Sequence, residues 1–305
     1  MNTHILIQNP GQKRRLVFFA WLSILLVSDL PDIICSTIFG QVPEWLFGVK
    51  VGFLFLFFGL CLVWKNIRPL LPYAFVMLVF FVALAVSEWV RTSVWWQSLI
   101  SETQPSFALA YLRPYIRDIG VTLAVVGALW IVKRRRSEFF LVKGQLNAPI
   151  EPINWLGIRQ GQSWRAFGWI FALVAALGVA VSTLLAMRPS PDVLLRVTPL
   201  LPAILLFATI NAFNEEIYYR ASLLSTLPQL IGKNHALLIN VVFFGLAHYL
   251  YGSPPGVVGF LMTGFLAWLL GKSMLETKGF FWAWFIHFLP DVVIFSSYAI
   301  TWAQK

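Results

Sequence analysis

The sequence predicts an all-α, polytopic membrane protein with about nine transmembrane helices. Three observations carry that prediction. Hydrophobic residues make up 59% of the 305-residue chain and charged residues only 12%, with a mean hydropathy of +0.76. That leaves too little polar surface for a soluble domain. The apolar residues come in continuous runs close to the ~20 residues needed to cross a bilayer as a helix. They do not alternate, as the strands of a membrane barrel would. Basic clusters also punctuate the runs in a regular order.

Taken in order, the runs fall near 16–34, 45–64, 70–90, 115–132, 166–187, 199–224, 236–250, 255–271 and 280–300. Lys13-Arg14-Arg15 precedes the first run, but no small-x-small cleavage site follows, and Asp29, Pro31 and Asp32 interrupt it. It is expected to be an uncleaved first span. Residues 91–114, with Trp95 and Trp96, read as an interfacial helix on the outer side. The seventh and eighth runs are short enough to be tilted or broken. The eighth carries Gly259, Thr263, Ala267 and Gly271 at four-residue spacing, a ridge that lets helix backbones pack closely.

Basic clusters at Lys13–Arg15, Lys65 with Arg68, Lys133 to Arg136, Lys233, and Lys272 with Lys278 fall after every second span. The positive-inside rule then puts the N-terminus inside and, with nine spans, the C-terminus outside. The net charge of +10 sits between spans, so it reads as topology and anionic lipid, and no nucleic-acid partner is expected. Two cysteines, Cys35 and Cys61, make no disulfide framework. The longest inside loop, with Lys143, Pro149, Pro152, Trp155 and Arg159, divides the chain. The expected parts are a four-helix portion at 1–136, a cytoplasmic loop at 137–165 and a second membrane portion at 166–305.

The chemistry gathers in that second portion. Asn211-Ala-Phe-Asn-Glu-Glu-Ile-Tyr-Tyr-Arg220 lies inside the sixth run. A single charged residue at a helix centre costs roughly 2.5–3.5 kcal/mol on insertion scales, and here three occur in six positions. Ionisable groups in a span are functional candidates by default. Glu216 and Arg220 are i,i+4 and can pair. Glu215 lies about 100° round the helix and is left for chemistry. Asn211, Tyr218, Tyr219 and Ser222 extend the polar stripe beside it. A structural ion-pair network is the competing reading of such a cluster.

Of four histidines, His4 and His235 are expected to be solvated. His248, one turn after Phe244, and His287, one turn before Asp291, lie within spans. Counted from the inner ends, Glu215, His248 and His287 each lie roughly 10–20 Å deep, so the three can meet below the midplane in a cavity of the C-terminal bundle. Pro290 frees the carbonyl of Ile286 beside His287. A carboxylate that takes a proton from water, an imidazole that relays it and a donor for an oxyanion together describe a peptide hydrolase.

Three ordered motifs, Glu215-Glu216-xxx-Arg220, Phe244-xxx-His248 and His287-xxx-Asp291, resemble those of the CAAX-protease and bacteriocin-processing family, also called the Abi family. Its members are intramembrane endopeptidases. The resemblance covers roughly residues 150–300 and makes 166–305 the catalytic portion. It implies that Glu215 and His248 activate the attacking water, that His287 and Asp291 form the oxyanion side, and that Glu216, Arg220 and Phe244 support them. The CAAX-processing members tend to have Asn where this chain has Asp291. An ionised Asp donates no hydrogen bond, so Asp291 is either protonated or orients His287; the second is the expectation.

The resemblance leans to a glutamate-type mechanism without a cofactor. Glu215, His248 and His287 would also suit zinc with an open position, although no His-Glu-xx-His helix is present. The expected partners are a peptide or membrane-protein substrate and the lipid bilayer, at the inner membrane if the source is bacterial. The sequence does not specify the oligomeric state or the substrate. Two rivals follow from the same residues. One is a non-catalytic immunity or scaffold protein that binds a peptide or partner in the cavity. The other is a proton channel or transporter, against which the lack of an inverted repeat counts.

Overall fold

A computed structural model describes residues 10–98, 106–252 and 254–304. His4 and the centre of the expected outer interfacial segment lie outside the described residues. Helices α1 (Pro10–Val27), α2 (Leu30–Phe39), α3 (Trp45–Val63), α4 (Leu71–Thr92), α5 (Val94–Ser98) and α6 (Phe107–Lys133) come first. Then follow α7 (Trp164–Met187), α8 (Pro191–Val197), α9 (Leu201–Glu215), α10 (Ser222–Leu224) and α11 (Pro228–Ile231). Last come α12 (Lys233–Tyr251), α13 (Gly256–Thr277) and α14 (Phe281–Ala303). No strand forms among the described residues. Seven helical segments are long and apolar enough to cross a membrane, or eight if α1 and α2 count as one bent span. The protein is a multi-pass integral membrane protein. Helix α12, which covers the seventh sequence run, stands outside that set; it carries Lys233, Asn234, His235, Asn240 and His248.

The chain divides into two compact units. The first comprises residues up to Leu84, Ala124–Phe139 and Tyr218–Lys272. Leu16, Ala20 and Ile24 form the buried stripe of α1, which packs on α2, α3, α11 and α12. Helices α1 and α2 bend by 46° at Ser28 and Asp29, where the sequence run is interrupted. Lys50 of α3 reaches that bend and pairs with Asp32, with Asp29 3.9 Å away. A lysine this deep is held by acids because hydrocarbon offers it no other partner. His235 is exposed and accepts a hydrogen bond from Trp21 Nε1 at 3.2 Å. The glycine ridge of α13 packs as a close-approach surface. A Cβ on Gly271 would meet Leu237 at 2.9 Å and Asn240 at 3.1 Å.

The second unit comprises Ala85–Leu123, Phe140–Ile217 and Ser273–Lys305. Helix α14 packs along α7, α8 and α9, around a buried cluster that includes Phe107, Tyr115, Phe207, Phe295 and Ile300. The expected inside loop is ordered against the start of α14. Phe280 N–H donates to Val142 O at 2.8 Å, Gln145 N–H to Thr277 O at 2.8 Å, and Trp282 Nε1 to Leu146 O at 3.0 Å. Gly144, at φ +79°, lies directly against the backbone of Gly279, where a Cβ would overlap it. Trp164 Nε1 donates to Glu276 at 2.8 Å. These bonds fix the end from which α14 sets out, six residues before His287.

Candidate active site

Glu215 is the last residue of α9, and Glu216–Ala221 form a π-helical turn. Such single wide turns arise where one extra residue is accommodated in a helix, and they are frequent at functional sites. No residue type in Glu216-Ile-Tyr-Tyr-Arg-Ala221 announces it, and the sequence spacing assumes an uninterrupted α-helix.

In the second unit, α9 and α14 bring four of the expected residues together. Glu216 is fully buried, and its Oε1 accepts from His287 Nδ1 at 2.9 Å. That bond fixes the imidazole ring and turns Nε2 toward the other two acids. Nε2 lies 3.5 Å from Glu215 Oε2 and 3.7 Å from Asp291 Oδ1. Glu216, rather than Asp291, therefore makes the ring-orienting hydrogen bond. Asn211, one turn before Glu215, donates through Nδ2 to Glu215 Oε1 at 3.2 Å and to Asp291 Oδ2 at 3.0 Å. Glu215 Oε2 accepts no hydrogen bond among the described residues. The Glu215 side chain keeps 23% of its surface exposed, against none for Glu216. Of the adjacent acids, Glu216 is sealed into the fold, while Glu215 is partly exposed and turns its buried Oε2 toward His287 Nε2. Trp284 Nε1 donates to Thr209 O at 3.2 Å, tying α14 to α9 one turn before His287.

Helix α6 is tied to α9 by two hydroxyls that the sequence reading did not single out. Tyr115 Oη donates to Asn211 Oδ1 at 3.2 Å, and Thr122 Oγ1 donates to Asn214 Oδ1 at 2.6 Å. They are two turns apart on one face. Two hydroxyls at i,i+7, on a helix that also carries Arg113, Arg117 and Asp118, are the signal that could have found them.

In the first unit, the other motif residues form their own group. Arg220 is fully buried with its guanidinium 4.2 Å from the centre of the Phe244 ring, a cation–π contact strengthened by desolvation. Phe244 stacks near His248, with ring centroids 4.4 Å apart. His248 Nδ1 bonds the Phe244 carbonyl at 3.0 Å. A carbonyl only accepts, so Nδ1 carries the proton, and Nε2 of the neutral ring is an acceptor. Asn240 Nδ2 donates to the Tyr219 carbonyl at 2.8 Å, a backbone oxygen within the π turn. Glu215, Glu216, His287 and Asp291 thus belong to one unit; Arg220, Phe244 and His248 belong to the other.

Comparison with known proteins adds one positive finding. No curated protein and no solved structure matches the chain. Residues 197–293 match the family model described as "Rce1-like: Type II CAAX prenyl endopeptidase Rce1-like". That segment holds all three sequence motifs, and the matching model describes the kind of CAAX protease that they resemble.

Proposed function

We propose that this chain, whose residues 197–293 form an Rce1-like domain of the CAAX-protease family, is an intramembrane endopeptidase that hydrolyses a peptide bond with water. The family-model match over residues 197–293 supports the protease class. One observation supports the mechanism: Glu215, inside a span, presents a carboxylate oxygen that accepts no hydrogen bond among the described residues, 3.5 Å from His287 Nε2. That oxygen can take the proton of an attacking water. His248, with Nε2 as its acceptor, is assigned the second proton-handling role by its motif. His287, held by Glu216, carries an N–H at Nε2 when protonated and would then face a developing oxyanion. Asp291 stands beside it, and Arg220 and Phe244 support the π turn and His248.

The carboxylate–histidine arrangement of Glu216 and His287 also suits a metal-ligating imidazole. Zinc is the alternative cofactor for the three motif residues Glu215, His248 and His287, and it would polarise a carbonyl or acidify water; among the described residues no group of three His, Cys, Asp or Glu side chains is placed to hold a metal ion. Activity lost in chelator and restored by zinc would assign that variant of the mechanism.

The substrate is a peptide presented at the inner leaflet, and a farnesylated CAAX peptide is the first probe because of the family. Cleavage of an internally quenched version by purified protein is expected, and Glu215→Gln should lower kcat at least about a hundredfold. Undiminished cleavage by a folded Glu215→Gln protein would remove the proposed base. For cells, membrane peptides accumulating with wild type and with Glu215→Gln should differ. Rescue of a deletion phenotype by the variant would instead favour a scaffold. The charge order places the N-terminus inside and the C-terminus outside. Reporter fusions at the two ends test this, and a shared side would reject it.

A further inference from the structure

We propose that Tyr115 and Asn211 act as a positioning relay for Glu215 and Asp291, so that α6, outside the family-matched segment, contributes to the reaction. The inference rests on the hydrolase reading above. Every hydrogen-bonding edge of the Asn211 amide is used. Its Oδ1 accepts from Tyr115 Oη at 3.2 Å, while its Nδ2 donates to Glu215 Oε1 at 3.2 Å and Asp291 Oδ2 at 3.0 Å. Two carboxylates require the NH2 edge, which leaves the oxygen edge to the phenol, and its O–H can donate there, so the three bonds are compatible with one orientation. A reversed amide would face both acids with its oxygen.

The consequence reaches the reacting atom. With Oε1 of Glu215 held by Asn211, its other oxygen is left toward His287 Nε2 at 3.5 Å. Tyr115 itself cannot swing away. It is 9% exposed, stacks on Phe207 with centroids 5.4 Å apart and packs against Phe295 at 5.8 Å. Thr122 to Asn214 at 2.6 Å provides a comparison on the same two helices. It ties α6 to α9 through Asn214 rather than Asn211, so it serves as the control for a purely structural clip.

The test uses the purified full-length protein and the quenched farnesylated CAAX peptide. Tyr115→Phe is expected to lower kcat about tenfold, the factor expected for one lost hydrogen bond, with KM and melting temperature near wild type. Asn211→Ala should cost more. The double variant should be no worse than Asn211→Ala alone, because the two residues act as one unit. Thr122→Val should lower the melting temperature and leave kcat in place. Wild-type kcat in Tyr115→Phe, a kcat loss matched by a fall in melting temperature, or multiplying effects in the double variant would each overturn the relay. If Glu215→Gln is also fully active, the hydrolase reading fails with it. If Glu215→Gln is inactive while Tyr115→Phe is unimpaired, only the relay fails. Should wild type not cut this peptide, an experimental structure of Tyr115→Phe decides. Release of Asn211 from either acid supports the relay, and two unchanged bonds reject it.

Discussion

Each unit buries a charged cluster in membrane-spanning helices, and the two clusters are built differently. In the first unit, Lys50 meets Asp32 and Asp29 at the bend between α1 and α2. The ammonium has its acids, and the group joins two helices where one is broken. In the second unit, three carboxylates surround one imidazole: Glu216, Glu215 and Asp291 lie 2.9, 3.5 and 3.7 Å from His287 nitrogens. Acids outnumber the base, and one oxygen of Glu215 is left without a donor among the described residues. A charge in a span is a functional candidate by default. On the proposed reading the difference lies in the charge partners: the Lys50 ammonium meets two acids, whereas three acids share one imidazole.

The comparison breaks most sharply at Glu215. Glu215→Gln keeps the shape and removes the base, and the expected loss in kcat is about a thousandfold, or roughly 4 kcal/mol of barrier. Melting temperature measured alongside should hardly move. Lys50→Met should show the opposite pattern. It leaves two acids without their cation and should destabilise the fold by about 3 kcal/mol, read as a fall in detergent-melting midpoint. Adding Asp32→Leu to Lys50→Met should recover most of that loss, because removing both partners is tolerated where breaking a pair is not. No recovery would mean that the Lys50 cluster does more than join helices. Smaller again is Glu216→Gln, where the side chain can still accept from His287 Nδ1 but loses its charge. A drop of about tenfold in kcat is expected, as for other partners that orient a functional histidine. Unchanged kinetics would show that burial alone fixes the ring.

Much of this was legible in the residues. Continuous apolar runs located the helices, and Asp29, Pro31 and Asp32 marked the place where the first one bends. The spacing of Glu215, Glu216, His287 and Asp291 singled out the residues that α9 and α14 bring together. Other features were hidden. The hydrogen bond that His287 Nδ1 donates to Glu216 was not visible from spacing, nor was the π turn at Glu216–Ala221. Asn211 was visible as part of a polar stripe, but its bridge between two acids was not. The loop expected to lie inside looked like a linker, yet Val142, Gln145 and Leu146 are bonded to Phe280, Thr277 and Trp282 around the start of α14.

By itself, the sequence determined the class of protein, the stretches that cross the membrane and the identity of the acids and imidazoles within them. These follow from local composition, since the cost of placing each side chain in hydrocarbon is paid wherever that segment lies. The tertiary structure decided which atoms meet. Glu216 and His287 are 71 residues apart, and Tyr115 and Asn211 are 96 apart. A soluble helix announces its inward face by its polarity. A helix in lipid is apolar on both sides, so its rotation is set by close packing and by the few polar groups that must find one another. That rotation is the information that composition and spacing do not carry.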